Sequence, residues 1–310
     1  MTGTLLYSHP SFKNHEVPPG HVEHPGRFEA VSDALEADEF GDAIRRIAPP
    51  AEFEAVDRVH GAAFRRAIVE TSPDRGLAQV DADTFMGPSS LQASLHAAGG
   101  AIDAIDHVVS GAAKNAFVAC RPPGHHAEPT KAMGFCLFNS VAVAAHHARA
   151  VHDLEKIAVI DFDVHHGNGT QAAFWDDENA FFASSHEWPQ YPGTGRESDR
   201  GAFDNVYNAP LATGATGEDF RRAWGERLLP ALSDFDPDVI FISAGFDAHL
   251  ADPLGGLRLL EDDFDWITRQ ITAIAENKCH GRLVSLLEGG YDLAALGRSA
   301  AAHVKALMAA

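Results

Sequence analysis

Residues 157–170 read IAVIDFDVHHGNGT, an apolar run that ends abruptly in charged and polar side chains. Residues 157–160 are apolar throughout, which predicts a buried strand. Two carboxylates and two imidazoles follow at once, and a buried carboxylate is costly unless it is paired, neutralised or bound to a metal ion. We therefore expect a positively charged partner at the end of this strand.

Short β-rich runs alternate with Ala-rich segments of helical spacing along the chain. The predicted strands are 116–119, 157–161, 180–184, 239–243 and 283–287, and the predicted helices are 89–110, 139–151, 217–233, 262–276 and 293–309. This alternation indicates βαβ units and a mostly parallel sheet that is covered by helices on both faces. No linker or repeat divides the chain, so residues 1–310 are predicted to form one α/β domain.

Polar motifs follow four of the predicted strands. Ligands of open parallel sheets bind beyond the carboxyl ends of the strands, so these motifs are expected to meet at one edge. They are RPPGHH at 121–126, DFDVHH at 161–166, AGFD at 244–247 and EGGY at 288–291.

The spacing of the acidic residues predicts a metal site. Asp161, Asp163 and His165 lie two residues apart, so they point the same way along an extended strand. Asp163 and His165 are candidates to hold one ion together with Asp247 from another strand end. Two carboxylates and one imidazole leave a coordination position open, as in catalytic zinc sites. Zinc is favoured, although Fe(II), Co(II) and Mn(II) accept the same ligands.

Three further residues complete a candidate catalytic set. Asp161 is suited to accept a hydrogen bond from an imidazole and to raise its basicity. His125 and His126 follow a rigid Pro-Pro-Gly turn, and one of them is a candidate general base. Tyr291 is placed to hydrogen-bond an oxyanion. Together these residues indicate metal-assisted hydrolysis of an amide or an ester.

Several residues that carry reactive groups have simpler interpretations. The adjacent pair His146 and His147 lies on a predicted Ala-rich helix and is interpreted as a solvated or packed face. Cys136 stands between Phe135 and Leu137, which favours packing over a nucleophilic role. The three cysteines are widely spaced and form no C-x-x-C pair, so neither a disulfide framework nor a thiolate zinc site is indicated.

The charge balance excludes some classes of partner. Lys and Arg number 24 and Asp and Glu number 44, which gives a formal net charge of -20. Such a surface repels nucleic acid and attracts cationic ligands such as polyamines or lysine-rich peptides, or it serves solubility alone. The N-terminus lacks the features of a signal peptide, and no apolar run is long enough to span a membrane. The expected location is the cytoplasm.

These motifs resemble those of the histone deacetylase superfamily, which also contains acetylpolyamine amidohydrolases. The resemblance extends over nearly the whole chain, although the first motif is a looser match than the others. The similar segments are HVEHPGR at 21–27, RPPGHH at 121–126, GFCLFN at 134–139, DFDVHHGNGT at 161–170, YPGTG at 191–195, SAGFD at 243–247 and EGGY at 288–291.

The resemblance implies an arginase/deacetylase-type α/β fold and a zinc-dependent amidohydrolase with one zinc ion per chain, although Fe²⁺ or Co²⁺ is an alternative. It implies that Asp163, His165 and Asp247 bind zinc, that His126 is the general base and acid, and that His125 is tuned by Asp161. Tyr291 would polarise the acyl carbonyl. The implied substrate channel comprises Gly134, Phe135, Tyr191, Leu254 and Gly289, and the implied structural potassium site comprises Asp161, Asp163, His165, Ser184 and Ser185.

The resemblance also bears on the substrate. Asn168 stands where part of the family has an aspartate partner for the second histidine, and Leu254 stands where polyamine-selective relatives have a glutamate. An acyl-lysine or a similar small acylated amine is therefore the favoured substrate, with an acetylpolyamine as the alternative. An inactive acyl-ligand sensor is a third hypothesis. Asp83 is a candidate rim carboxylate, and a homo-oligomer is left open.

Overall fold

An eight-stranded sheet, parallel throughout, organises residues 3–310, the part of the chain that the computed structural model describes. Its strand order is β2-β1-β5-β10-β9-β6-β7-β8, and β3 and β4 form a separate antiparallel pair. The strands are β1 Thr4–Ser8, β2 Ile44–Ile47, β3 Ala78–Gln79, β4 Phe85–Met86, β5 Asn115–Val118, β6 Ile157–Asp161, β7 Ala180–Trp188, β8 Val206–Ala212, β9 Val239–Ala244 and β10 Leu283–Leu287.

Within the described residues, ten α-helices connect and cover the strands. They are α1 Pro10–Asn14, α2 Gly26–Ala34, α3 Phe53–Thr71, α4 Ser90–Val109, α5 Ser140–His152, α6 Asn168–Phe174, α7 Gly217–Ala223, α8 Leu229–Phe235, α9 Glu261–Cys279 and α10 Leu293–Ala309. Helices α3, α4 and α5 pack on one face of the sheet, and α2, α9 and α10 pack on the other. The predicted α/β class, with a parallel sheet and helices on both faces, is confirmed.

The central strands β5, β10, β9 and β6 are buried along their whole length. A strand that is covered on both faces has no polar side to alternate with, so its sequence is continuously apolar. This is why the sequence revealed these strands. It did not reveal β2, whose residues are mostly exposed at the sheet edge, nor β1 and β8.

The predicted helix over 217–233 is divided in the structure. Helix α7 is followed by a π-helical segment, Trp224–Leu228, and then by α8. Pro230 lies in the first turn of α8 and has no backbone N–H to continue an α-helical ladder. The π turn, in which the Leu229 N–H donates to the Trp224 carbonyl, ends directly before this proline.

Two further features bear on the expectations from composition. Cys120, Cys136 and Cys279 are free and buried. Within residues 3–310, no helix has both the length and the apolar character that crossing a bilayer requires.

Candidate active site at the carboxyl ends of the strands

Asp163, His165 and Asp247 meet just beyond the ends of β6 and β9, and we refer to them as the strand-end cluster. His165 Nδ1 lies 3.1 Å from Asp163 Oδ1 and 3.2 Å from Asp247 Oδ2. All three residues are buried, and one ligand atom from each lies within 4.8 Å of the others. The neighbouring strands β6 and β9 bring them together, as their positions after these strands predicted.

Backbone donors fix the two carboxylates of the strand-end cluster. Gly289 donates to Asp163 Oδ2 over 2.8 Å, and Val164 donates to Asp247 Oδ1 over 2.9 Å. Gly289 has no substitute here, because a Cβ atom on it would lie 2.0 Å from Asp247 Oδ2. Gly289 contacts these carboxylates. It was predicted to belong to the substrate channel, but it is not among the residues that line the cavity described below.

The strand-end cluster crowds negative charge into a dry site. Burial, followed by the charge of Asp163, raises the pKa of Asp247 to about 7. Burial lowers the pKa of His165, but hydrogen bonds to Asp163 and Asp247 outweigh it and raise that pKa to about 10. Two buried carboxylates that need positive charge, beside an imidazole with a suitable nitrogen, form a donor set that fits a divalent transition metal.

His125 is held from two sides. Its Nδ1 lies 2.9 Å from Asp161 Oδ2, and its backbone N–H donates to Glu288 Oε2 over 3.1 Å. Glu288 also accepts from the Gly124 N–H, and burial raises the pKa of this glutamate to about 7. His125 Nε2 faces the strand-end cluster, 3.8 Å from Asp163 Oδ2.

His126 has an amide as its partner. Asn168 Nδ2 donates to Glu128 Oε1 over 2.7 Å, so the amide oxygen of Asn168 faces His126 Nδ1, 2.8 Å away. A carbonyl oxygen only accepts, so Nδ1 of His126 carries the proton. This leaves Nε2 of the neutral ring free to accept one.

The two imidazoles have opposite acid–base character. Burial lowers the pKa of His125, but Asp163 and Asp161 outweigh it and raise it well above its ordinary value. Burial, and then the charges of His125 and His165, lower the pKa of His126 well below its ordinary value. Their ring centroids are 3.9 Å apart, which disfavours two charges. A charged His125 beside a neutral His126 is the pairing that suits an electrostatic group and a base.

A cavity of about 190 Å³ opens onto these groups. Phe135 has a φ of 68°, a left-handed conformation that is uncommon for an aromatic residue and typical of functional sites. Its ring meets Tyr291 edge-on, and the Tyr191 ring meets His126 edge-on at 5.1 Å. The lining residues are Asp83, His126, Gly134, Phe135, His165, Gln190, Tyr191, Leu254 and Tyr291.

Tyr291 is fixed from beneath by buried groups. Its backbone N–H donates to Asp252 Oδ2 over 2.6 Å, and the Arg27 guanidinium lies 4.8 Å from its ring centroid. Burial raises the pKa of the Tyr291 phenol well above its ordinary value, so the hydroxyl keeps its proton. A protonated hydroxyl at the cavity wall is able to donate a hydrogen bond.

Sequence reasoning missed a buried ionic network beneath this site. Glu23 bridges Arg27 and Arg121, and Arg27 also donates to the backbone carbonyls of Glu288 and Gly290. Within the segment 21–27, Glu23 and Arg27 are fully buried. The available signal was Arg121 itself, because an arginine directly after a buried strand needs an acidic partner.

The other predicted residues lie as follows. Asp83 Oδ1 accepts from the Gly134 N–H at the cavity wall. Ser184 pairs with Asp161 in the sheet, and Ser185 accepts from the Trp224 indole. His146 is stacked on Phe174 and Cys136 is buried, as a packing interpretation predicts, whereas His147 contacts Asp106.

Comparison with known proteins gives a consistent result. The histone deacetylase domain model matches residues 21–307. The histone deacetylase-like amidohydrolase of Pseudomonas aeruginosa is 39% identical over 88% of this chain and 73% of its own length. Histone deacetylase 14, chloroplastic, of Arabidopsis thaliana is 38% identical over 98% of this chain and 76% of its own length.

Solved structures agree with the sequence comparisons. The crystal structure of the HDA15 HD domain superposes with a TM-score of 0.93 at 33% identity, over 99% of this chain and 88% of that one. A probable deacetylase of Archaeoglobus fulgidus is 35% identical over 94% of this chain and 82% of its own length. The sheet is thus the arginase/deacetylase fold, and the chain belongs to the histone deacetylase family.

Proposed function

We propose that this protein is a metal-dependent amidohydrolase that removes an acetyl or short acyl group from an acylated amine. The observation that carries the proposal is the geometry of His125 and His126 beside the strand-end cluster, where Asp161 contacts the first imidazole and the Asn168 amide oxygen contacts the second. The names of the relatives, which include deacetylase and amidohydrolase, support the same class of reaction.

Asp163, His165 and Asp247 would hold one zinc ion, with Fe²⁺ or Co²⁺ as the alternatives. A zinc ion bound there supplies Lewis acidity, which lowers the pKa of water and polarises an acyl carbonyl. The fit rests on the buried donor set and on the raised pKa of Asp247, whose carboxyl gains from a nearby cation.

His126 is the proposed proton carrier. Its Nε2 accepts a proton from the attacking water and returns it to the amine that leaves, while Nδ1 stays hydrogen-bonded to Asn168. His125, paired with Asp161, contributes positive charge beside the developing oxyanion. Tyr291 donates its hydroxyl proton in a hydrogen bond to that oxyanion, which is stronger in the transition state than to the neutral carbonyl.

The cavity favours an extended, weakly polar chain over a charged one. Phe135 and Tyr191 give it aromatic walls, and the Gly134 backbone lies so close to His126 that a Cβ atom on it would be 2.4 Å from the imidazole Cδ2. Leu254 offers no charge that would select a second amine along the chain. An acyl-lysine side chain or a similar small acylated amine is the proposed substrate.

An acetylpolyamine is the second candidate, and the net charge of -20 favours it because a polyamine is cationic. Asp83, at the cavity wall, is the nearest carboxylate for such a ligand, although its Oδ1 already accepts from two donors. An inactive acyl-ligand sensor is disfavoured, because the proposed metal ligands, the proposed base and Tyr291 are all present.

Three subsidiary assignments belong to the same proposal. A structural potassium ion near Asp161, Asp163, His165, Ser184 and Ser185 is supported only by the pairing of Asp161 with Ser184 across β6 and β7. One domain spanning residues 1–310 is supported by the single large sheet, to which strands from Thr4 to Leu287 contribute. The cytoplasmic location, the absence of nucleic-acid partners and a homo-oligomer stay predictions.

The test is turnover of a fluorogenic acetyl-lysine peptide beside a panel of acetylated polyamines, before chelation, after chelation and after zinc is restored. We expect chelation to abolish peptide cleavage and zinc to restore it. Cleavage of polyamines alone would replace the substrate assignment with the second candidate. Failure of the zinc-loaded protein on both substrates and on longer acyl-lysine peptides would contradict the proposed function.

A further inference from the structure

A second group of metal-ligand side chains lies on the helices, away from the strand ends. Asp106 of α4 faces His147 and His152 of α5, and we refer to these three residues as the helix-end cluster. The Nε2 atoms of His147 and His152 lie 2.8 Å and 2.6 Å from the same oxygen, Asp106 Oδ1. One ligand atom from each residue lies within 4.8 Å of the others.

The helix-end cluster brings two imidazole nitrogens to one carboxylate oxygen, which is also the geometry from which a metal ion could be bound. Without a metal ion, each imidazole would carry a proton on Nε2 and donate it to Asp106 Oδ1, which has lone pairs for both donors. A metal ion between the three side chains would satisfy all of them with neutral imidazoles. Two histidines and one carboxylate are a common ligand set for Zn²⁺ and other first-row divalent ions.

The helices present these side chains at a favourable end. Asp106 is three residues before the end of α4, and His152 is the last residue of α5, where Asp153 adopts a left-handed conformation. The carbonyl groups at a helix C-terminus carry partial negative charge, which favours a cation nearby. Insertion of the ion requires each nitrogen to move away from the oxygen by roughly 0.5–1 Å, since tetrahedral zinc bonds of about 2.0–2.2 Å hold ligand atoms about 3.3–3.6 Å apart.

The remaining coordination positions are accessible. The side chains of Asp106, His147 and His152 are 41%, 13% and 21% exposed. Asp106 and His147 border a cavity of about 350 Å³. The lining of this cavity has a negative formal charge, because its other charged residues are one arginine and three carboxylates. They are Arg58, Glu52, Glu54 and Asp103.

We propose that the helix-end cluster is a second divalent transition-metal site, which joins α4 to α5 and is separate from the strand-end cluster. Helix α4 leads into the start of β5, and α5 leads into the start of β6. The C-terminal ends of both helices therefore lie near the amino ends of the strands, opposite the carboxyl ends that carry the strand-end cluster. The ion would tie two helices that pack against each other. Its role is therefore stabilisation, with no part in the chemistry.

The experiment measures bound zinc per chain and the change in Tm on zinc addition, in the wild type and in matched variants. His152→Gln and Asp106→Asn each remove one ligand of the helix-end cluster. We expect both to bind one zinc equivalent fewer than the wild type and to lose the corresponding rise in Tm. Their peptide turnover with a loaded strand-end cluster should stay within about twofold of wild type, because neither residue touches that cluster.

Two controls keep the result specific. His107→Gln removes a neighbouring histidine of α4 whose Nδ1 contacts the Asp103 carbonyl, and it should keep the wild-type zinc count. Asp163→Ala should lose an equivalent that is separate from the one lost in His152→Gln, and the double variant should lose both. Equal zinc counts in wild type, His152→Gln and Asp106→Asn, with all three folded by circular dichroism, would overturn the proposal whatever the enzyme's activity.

Discussion

The strand-end and helix-end clusters contain the same kinds of side chain in different surroundings. In the strand-end cluster, backbone N–H groups hold the carboxylates and no side chain is more than 9% exposed. In the helix-end cluster, the histidines face a carboxylate that is 41% exposed. Charges are screened more weakly in a dry site, so the buried charges of the strand-end cluster interact more strongly than the partly exposed charges of the helix-end cluster.

The largest expected difference between the two clusters is the effect of removing one buried ligand on peptide turnover. Asp163→Ala should lose the strand-end metal and reduce peptide turnover to background, because it removes one ligand and leaves Asp247 and His165 without their partner. Elemental analysis and a turnover assay measure both effects. Retained turnover at wild-type rate would contradict the assignment of Asp163 as a ligand.

Tyr291→Phe should lower kcat by about 10²–10³, because it removes one donor to the oxyanion while Arg27 still packs on the ring. Zinc content and Tm should stay near their wild-type values. A matched control is Tyr207→Phe, which lies on β8 and stacks on Phe181, away from the cavity. Equal kcat in Tyr291→Phe and Tyr207→Phe would argue against this role.

The decrease of kcat/KM at acidic pH, the acid limb of the pH profile, is expected to report the protonation of His126. A base must be neutral, so kcat/KM falls when falling pH protonates it. Burial and the neighbouring histidines lower the pKa of His126, so this limb should lie below the ordinary value of 6.5. Asn168→Asp replaces an amide with a carboxylate that favours the imidazolium, and it should move the limb upward by about one pH unit or more.

Asn168→Ser, which adds no charge, is the control for the loss of the amide. An unchanged limb in Asn168→Asp, relative to both Asn168→Ser and wild type, would assign the limb to another group.

His60 of α3 belongs to neither cluster, and no change in turnover at neutral pH is expected from its replacement. Its Nε2 accepts from the Asn139 N–H at the start of α5, and its Nδ1 donates to the Glu128 carbonyl. Burial lowers the pKa of His60 to about 4. Between about pH 6.5 and pH 4 the unfolded chain therefore binds a proton that the folded chain does not.

As the pH is lowered from about 6.5 to about 4, the free energy of unfolding should consequently decrease, by at most about 3 kcal/mol from His60. His60→Gln should flatten this part of the curve, measured by denaturant unfolding at several pH values. His280→Asn, which replaces an exposed histidine, should leave the slope unchanged. A wild-type slope in His60→Gln would assign the acid sensitivity to other histidines.

The sequence by itself determined the central sheet and much of the strand-end site. Strands β5, β6, β9 and β10 are mostly apolar because both of their faces are buried, and this property is visible in the sequence alone. Asp163 and His165 follow from the two-residue spacing of an extended chain. The motifs then carried the resemblance to the family, which the comparisons support.

Only the tertiary structure decided which distant groups meet. The exposed edge strand β2 has no run of apolar residues that would reveal it. Glu288 accepts hydrogen bonds from the Gly124 and His125 N–H groups only because β10 lies beside that segment in the fold. Asp106 and His152 lie 46 residues apart, on helices whose packing alone brings their side chains together. Local patterns record the burial and direction of a side chain, whereas its partner across the fold depends on how the helices and strands pack.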